Sequence, residues 1–183
     1  MRRELLIVCG TRRDKSLSIE NHRTWEGLVT LDHNPTHKPD VQWDLLNLPL
    51  PFDADSLDEI HAYEVLEHTG QQGDYKFFFA QFSDFWRMLK PGGAFLATVP
   101  ARDSIWAWGD PSHTRIITSE NLIFLVQPKY GQIGLTAMSD FRDIYKADFN
   151  IGFLEIAEGS VRFALQAVKP SRIGDSHGIR EQS

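Results

Sequence analysis

The sequence has little of what defines several large protein classes. It holds a single cysteine, Cys9, so the chain can form no internal disulfide and cysteines alone cannot hold a structural zinc ion. No apolar run approaches the ~20 residues that a membrane-spanning helix requires. The apolar run after Met-Arg-Arg is too short for a signal peptide. We therefore expect a cytoplasmic protein that makes no contact with a membrane.

An excess of positive charge is also missing. The net charge is −6, which argues against broad electrostatic binding to nucleic acid. A local basic patch at Arg12, Arg13 and Lys15 is the one exception that the sequence leaves open. The dinucleotide fingerprint G-x-G-x-x-G, a phosphate-binding P-loop and a nucleophile elbow are all absent, which disfavours the enzyme classes that use them.

The 183 residues do contain a regular alternation of short apolar runs and helical patterns. We predict one domain over residues 1–169 and a flexible C-terminal tail over 170–183. The last two strands are joined by Glu158-Gly159-Ser160, which indicates an antiparallel hairpin. The predicted strands are 5–8, 28–31, 41–43, 57–63, 94–99, 149–155 and 161–168, and the predicted helices are 16–26, 75–89 (capped by Asp74) and 119–126.

Strands that alternate with helices predict an α/β protein with a mostly parallel, open sheet. Ligands in such sheets bind beyond the carboxyl ends of the strands. The polar residues at those ends are Gly10-Thr11, Asp32, Asp44 and Glu64, and we expect them along one edge. Asp32 lies 22 residues after Gly10, which is the spacing of an acid that binds ribose hydroxyls. The alternative is that Asp32 only caps the turn that follows it.

Several segments resemble one family of enzymes. They are "LLIVCGT", "LVTLDHNP", "VQWDLLNLPLPFDADSLDEIHAYEVLEH", "FWRMLKPGGAFLATVP" and "DPSHTRIITSENL". Together they are similar to class I methyltransferases that depend on S-adenosylmethionine (SAM), and above all to the compact type 11 group. The resemblance implies a Rossmann-like three-layer sandwich whose seven-stranded sheet is mostly parallel, with an antiparallel last strand.

The resemblance also implies a set of cofactor-binding residues, taken position by position. The first turn would contact the methionine part of SAM, although Val8 and Arg12 stand where the family has glycine; Arg12 could instead pair with the SAM carboxylate. Asp32, with His33 beside it, would bind the ribose, and Asp44 and Leu45 would contact the adenine. Tyr63 and Glu64 would face the sulfonium side. The full set is Cys9, Gly10, Thr11, Asp32, His33, Asp44, Leu45, Tyr63 and Glu64.

The segment after the fifth strand is where the resemblance places substrate recognition. His113 and Asp110 are the candidate catalytic residues, because an imidazole can accept a proton near neutral pH. Trp106 and Trp108 could stack on a flat substrate. The alternative is that Asp110 and His113 brace a loop and the tryptophans cover the sheet edge. The histidines are too scattered along the chain for a recognisable metal motif, so we predict no metal.

The sequence thus favours a SAM-dependent methyltransferase. The alternatives are a protein that keeps the fold and SAM affinity without catalysis and, less favoured, a nucleotide-binding oxidoreductase. The methyl acceptor is unknown; the acidic balance slightly favours a small molecule or a protein, and nucleic acid stays open. The oligomeric state cannot be read from the sequence.

Overall fold

The fold is built on one seven-stranded sheet. The computed structural model describes residues 2–7, 10–19 and 22–174. The strands lie in the order β3-β2-β1-β4-β5-β7-β6. Their bounds are β1 Glu4–Ile7, β2 Leu28–Asp32, β3 Val41–Gln42, β4 Leu57–Tyr63, β5 Leu89–Pro100, β6 Phe149–Ala157 and β7 Ser160–Ala167.

The direction of the strands agrees with the predicted fold class. Neighbouring strands from β3 through β5 are parallel, and β7 runs antiparallel to both β5 and β6. Glu158 and Gly159 form the turn between β6 and β7, and both have positive φ angles, as a tight hairpin turn requires. The Rossmann-like, mostly parallel sheet with an antiparallel last strand is therefore confirmed.

One face of the sheet carries the apolar core and the main helix. Helix α1 spans Tyr75–Met88, and the Asp74 carboxylate caps it by accepting a hydrogen bond from the Phe77 N–H. Its buried face packs on inward residues of β1, β4, β5 and β7. Two shorter helices, α2 (Ile105–Gly109) and α3 (Ser119–Ile123), follow β5; Thr118 caps α3, which is shorter than predicted.

The other face of the sheet differs from the prediction. The predicted helix over residues 16–26 is wrong, because 10–19 and 22–26 form no helix. This segment instead crosses the face as irregular chain, and Leu17 packs on Ala94, Leu96 and Ala164. Hydrogen bonds of the Leu17 backbone with the Tyr63 hydroxyl anchor it to β4.

A buried charge cluster, which we define as Arg2, Glu4, Lys15, Glu59 and His61, fixes this segment. The Lys15 ammonium has no exposed side-chain surface and lies 2.9 Å from Glu4 Oε1 and 2.8 Å from Glu59 Oε2. Arg2 pairs with both carboxylates as well. Two anions thus face two cations, which is the balance that buried charges need.

His61 completes the cluster as a neutral ring. Burial lowers the pKa of His61 in spite of the neighbouring Glu59 carboxylate. Its Nε2 lies 2.9 Å from Glu59 Oε2 and its Nδ1 lies 2.6 Å from the Tyr63 hydroxyl. Burial alone would raise the pKa of Glu59, but the hydrogen bonds from His61 and Lys15 outweigh it and lower that pKa to about 2.

The packed part of the chain extends past the predicted domain end at residue 169. Arg172 lies 2.7 Å from the buried carboxylate of Asp148. Residues 170–174 are therefore joined to the body, and 175–183 of the predicted tail lie outside the described residues. Within the described ranges no helix is both long and apolar enough to cross a membrane.

Candidate functional site

A cleft of about 850 Å³ opens at the carboxyl ends of the central strands. This is the edge at which open α/β sheets bind ligands, and the volume suits a small organic cofactor. The antiparallel β7 contributes residues from its amino end. The lining residues are Leu6, Ile7, Gly10, Thr11, Arg12, Asp14, Ser16, Leu17, His37, Tyr63, Glu64, Thr98, Ser160 and Arg162.

Four of the predicted cofactor residues line this cleft: Gly10, Thr11, Tyr63 and Glu64. Gly10 has a φ of +51°, in the left-handed region that favours glycine, and among the described residues no atom outside its chain neighbours lies within 4 Å of where its Cβ would stand. The turn after β1 therefore leaves open space on the Cβ side of Gly10, while its N–H and carbonyl oxygen are bonded to Asp32 and Arg13. Cys9, also predicted here, lies outside the described residues.

Glu64 projects from a strained position at the end of β4. Its φ is +52°, which is uncommon for a residue with a side chain. The Glu64 N–H holds this geometry by donating to the Thr98 carbonyl oxygen at 2.9 Å on the neighbouring strand. The result is an exposed carboxylate at the cleft wall, as the sequence predicts.

Tyr63 lies on the wall of the cleft and is tied to the sheet. Its hydroxyl accepts a hydrogen bond from the Leu17 N–H at 3.1 Å and lies 2.6 Å from His61 Nδ1. Burial raises the pKa of Tyr63 to about 12, so the phenol stays neutral at ordinary pH. The ring therefore lines the cleft while its hydroxyl anchors the Leu17 segment, and its predicted place at the sulfonium side stays a prediction.

Asp32 is buried rather than turned towards the cleft. Its Oδ2 accepts hydrogen bonds from the Gly10 N–H at 3.0 Å and from His37 Nδ1 at 2.9 Å, and its Oδ1 accepts from the Asn34 N–H at 2.9 Å. Burial alone would raise the pKa of Asp32, yet these bonds outweigh it and lower that pKa. The carboxylate thus stabilises the Gly10 turn, and its predicted contact with ribose stays a prediction.

The other residues predicted to bind the nucleoside also lie away from the lining of this cleft. Asp44 is exposed and caps its own loop by accepting a hydrogen bond from the Leu46 N–H at 2.9 Å. Leu45 is buried in the apolar core. The His33 side chain is largely exposed, 3.5 Å from Asp32 Oδ1. Their roles in binding stay predictions.

The basic patch considered from the sequence does not form. Lys15 belongs to the buried charge cluster. Arg13 donates to the carbonyl oxygens of Gly10 at 2.8 Å and His37 at 3.0 Å, so it braces the turn after β1. Of these three side chains, Arg12 alone extends into solvent: 91% of it is exposed, at the mouth of the cleft.

A second cluster, which we call the glutamate–histidine cluster, consists of Glu67, His68 and His113. One donor atom from each lies within 4.8 Å of those of the other two. His113 Nε2 is 4.0 Å from Glu67 Oε1, and the His68 and His113 rings meet edge to face with centroids 4.6 Å apart. The predicted catalytic partner Asp110 is near, with its Oδ2 3.9 Å from His113 Nε2. Catalysis by either residue stays a prediction.

Glu67 is the unusual member of this cluster. It is 2% exposed, yet neither carboxylate oxygen has a hydrogen-bond partner among residues 2–7, 10–19 and 22–174. Burial raises the pKa of Glu67 to about 8, and the charges of Glu64 and Asp110 add to the effect. An unpaired, buried carboxyl group at a strand end is a mark of a functional site.

Arg115 lies beside this cluster without forming an ion pair to it. Its guanidinium donates to the Leu66 carbonyl oxygen at 2.8 Å, to the Thr69 hydroxyl at 2.8 Å and to Gln81 Oε1. Burial lowers the pKa of Arg115 to about 10. These bonds lock the loop that carries Glu67 and His68 onto helix α1.

The two predicted substrate-facing tryptophans are both on the surface. Trp106 is 65% exposed and Trp108 is 75% exposed, on the short helix α2. Most of each side chain is therefore in solvent, and covering of the sheet edge stays an alternative. Stacking on a substrate stays a prediction for them.

Sequence reasoning missed three features of the site. Nothing local in the sequence marks His37 as the partner of Asp32 or Glu67 as a buried carboxyl group. The charge cluster was missed because its pairs are distant in sequence. A signal did exist in β4, where Glu59, His61 and Tyr63 alternate with apolar residues and therefore share one face.

No family model and no curated protein matches the chain. Solved structures do match it. One is a SAM-dependent methyltransferase from Archaeoglobus fulgidus, at 14% identity and a TM-score of 0.55, covering 90% of this chain and 86% of that one. Another is the N-methyltransferase NodS from Bradyrhizobium japonicum WM9 in complex with S-adenosylhomocysteine (SAH), at 14% and 0.54, covering 91% and 78%.

A third match carries a different activity in its name. The [4+2]-cyclase SpnF is 14% identical with a TM-score of 0.54, and the match covers 91% of this chain and 74% of that one. Similarity at this level of identity concerns the fold. Together with the strand order and the reversed last strand, it shows that the chain has the class I fold of SAM-dependent methyltransferases.

Proposed function

We propose that the protein is a SAM-dependent methyltransferase. The observation that carries this proposal is the cleft at the carboxyl ends of the central strands, which is lined by Gly10 and Thr11 of the turn after β1 and by the exposed Glu64. A cationic cofactor with an ammonium and a sulfonium group suits that negative charge. Structural neighbours with the same fold support SAM as the cofactor. Two of them are named as methyltransferases, and one of these is in complex with SAH.

The fit of the residues to SAM is good on the methionine side. Gly10 and Thr11 line the cleft, Glu64 can accept from the ammonium group, and Arg12 at the mouth can pair with the carboxylate. On the ribose side, Asp32 already accepts three hydrogen bonds. A carboxylate has about four acceptor positions, so a ribose hydroxyl must use the last one or displace His37.

Bound SAM would supply an activated methyl group, so the chain's own task is alignment and exclusion of water. Glu64 would hold the ammonium end rather than touch sulfur, because a fixed anion on the sulfonium would stabilise the reactant more than the transition state. Tyr63 and Leu17 would close the wall of the cleft. An oxygen or amine acceptor must also lose a proton, and we propose the His113 region for that step.

Calorimetric titration with SAM, SAH and NAD tests the proposal. SAM and SAH should bind and NAD should not. Glu64→Gln should weaken binding by about tenfold or more, the cost of a hydrogen bond to a charged group. An equal loss for SAM and SAH places Glu64 at the ammonium, while a loss for SAM alone places it at the sulfonium.

The matched control is Asp55→Asn. Asp55 also has a positive φ, +54°, but it pairs with Lys169 and lies outside the lining of the cleft. Its substitution should leave SAM affinity unchanged. Tight binding of NAD with none of SAM would reject the proposal.

A second candidate is a protein that binds SAM without transferring methyl groups. This candidate is favoured because Asp32 Oδ2 already accepts hydrogen bonds from Gly10 and His37, which leaves this oxygen little capacity to bind a ribose hydroxyl. The fold itself permits other activities, as the name of the cyclase shows. Transfer of labelled methyl from SAM into any fraction of a cell extract would exclude this candidate; binding with no transfer would favour it.

Our proposals for the methyl acceptor and for the cellular compartment rest on the sequence alone. We propose a small molecule or a protein as the acceptor, with nucleic acid open, and the cytoplasm as the compartment.

A further inference from the structure

We propose that the glutamate–histidine cluster, Glu67, His68 and His113, binds a divalent transition-metal ion such as Zn²⁺. The site lies in the loops after β4 and β5, beside the cleft but not within its lining. Spacing along the chain gave no sign of it, since the fold alone brings His113 to the other two residues.

The first argument is the state of Glu67. A carboxylate that is 2% exposed and has no hydrogen-bond partner among the described residues is costly to bury. The nearest ring nitrogen is His113 Nε2, 4.0 Å from Glu67 Oε1. Arg115 donates from two of its guanidinium nitrogens to Leu66, Thr69 and Gln81, and its third, a buried terminal nitrogen, also has no hydrogen-bond partner within the described ranges. A bound cation would satisfy these oxygens directly.

The second argument is the arrangement of the two histidines. The backbone oxygen of Ser112 lies 3.3 Å from His68 Nδ1 and its hydroxyl lies 3.2 Å away, which orients the ring and leaves Nε2 for a ligand. Such an outer contact to a carbonyl oxygen is what metal-binding histidines usually have. His113 is nearly buried, and its Nδ1 has no hydrogen-bond partner within the described ranges.

The third argument is the donor set. Two imidazoles and one carboxylate are the ligands of open catalytic zinc and non-haem iron sites. A tetrahedral ion with ligands at about 2.1 Å needs donor atoms about 3.4 Å apart, whereas these lie up to 4.8 Å apart. Binding must therefore draw the ligands together: the Glu67–His113 pair would close by about 0.6 Å from its 4.0 Å, and the exposed His68 side chain would move in towards it. Asp110, 3.9 Å from His113 Nε2, can serve as a further ligand or orient the ring.

The position of the site suggests its use, which rests on the proposed methyltransferase function. Glu64 lines the cleft and Glu67 lies one turn further along the same loop. An ion with an open position there would bind the oxygen or nitrogen of the methyl acceptor and lower the pKa of that group. The acceptor would then be a compound with a metal-binding heteroatom.

Metal binding can be tested without any substrate. The untagged full-length protein, first stripped with a chelator, would be titrated calorimetrically with Zn²⁺ alone, and with Co²⁺ to record its visible absorption. We expect one saturable site per chain. Glu67→Gln and His113→Ala should each weaken Zn²⁺ binding by about 100-fold or more and abolish the Co²⁺ band, and His68→Ala should weaken it as well.

The control is His22→Ala, which removes another histidine whose nitrogen lies 4.0 Å from a glutamate oxygen, that of Glu26, but on an exposed surface. It should bind Zn²⁺ like the unaltered protein. SAM affinity of Glu67→Gln should also be unchanged, because Glu67 does not line the cleft; this separates a failure of the metal site from a failure of the proposed function.

Circular dichroism of each variant would show that the fold is intact, and if His113→Ala does not fold, Glu67→Gln and His68→Ala decide. The proposal is overturned if no saturable Zn²⁺ binding occurs, if Glu67→Gln binds the ion as tightly as the unaltered protein, or if His22→Ala loses the site.

Discussion

The buried charge cluster allows a sharp stability experiment, the substitution Lys15→Met. Methionine keeps the length and apolar stem of the side chain but removes its charge. Lys15 lies within 2.9 Å of Glu4 and 2.8 Å of Glu59, with its ammonium 5.2 Å from the Trp25 ring centroid. The substitution therefore leaves two buried carboxylates with one cation, Arg2, between them.

The expected loss follows from that imbalance. Removing one partner of a buried ion pair costs about 3–5 kcal/mol, because the other charge is left without compensation. Arg2 still reaches both carboxylates and its side chain is 28% exposed, so part of the charge stays balanced. We expect the free energy of unfolding to fall by about 3 kcal/mol, the lower end of that range.

Urea unfolding followed by circular dichroism measures this loss. With a denaturant dependence of about 2 kcal/mol per molar urea, a loss of about 3 kcal/mol lowers the midpoint by about 1.5 M. The control is Arg12→Met, which removes an exposed cation three residues earlier and should change stability by less than about 0.5 kcal/mol. If Lys15→Met unfolds at the same urea concentration as Arg12→Met, the cluster does not hold this segment and the reasoning fails.

Three further outcomes are expected. Glu59, with a pKa of about 2 against an ordinary value near 4.5, should contribute stability that is fully present above about pH 5 and is lost as the pH falls towards 2. In Glu59→Gln the free energy of unfolding should therefore lose about 3 kcal/mol of its decrease between pH 5 and pH 2, measured by urea unfolding at each pH. Asp32→Ala should weaken the binding of SAM by about 1–3 kcal/mol, as measured by calorimetry. An unchanged affinity would show that Asp32 does not contact SAM. Arg115→Met should lower the free energy of unfolding by about 2–4 kcal/mol, since three buried acceptors each lose a hydrogen bond from a charged donor; a change under about 0.5 kcal/mol in thermal or urea unfolding would contradict this.

The sheet could be predicted from the sequence because its signals are local. Apolar runs, turn residues and the Glu158-Gly159 hairpin each act within a few residues, and β4 was predicted at its observed bounds, Leu57–Tyr63. The segment 16–26 failed for the opposite reason. Its conformation is decided by the pairing of Lys15 with Glu4 and Glu59, and a helical pattern of side chains says nothing about such distant partners.

The candidate site divides in the same way. Of the polar strand-end residues, Gly10, Thr11 and Glu64 line one cleft, whereas Asp32 and Asp44 lie outside its lining. The sequence could not show that Asp32 is already satisfied by Gly10 and His37, because a strand end fixes the position of a residue and not its hydrogen-bond partners.

The charge cluster and the cleft are parts of one connected structure. Glu59, His61 and Tyr63 lie on the same face of β4, and hydrogen bonds run from Lys15 through these side chains to the backbone of Leu17. Leu17 in turn lines the cleft. Because each bond orients the next group, the buried ion pairs set the position of the cleft wall. Residues 10–19 and 22–26, which form no helix, are thus held against the sheet by electrostatic pairing.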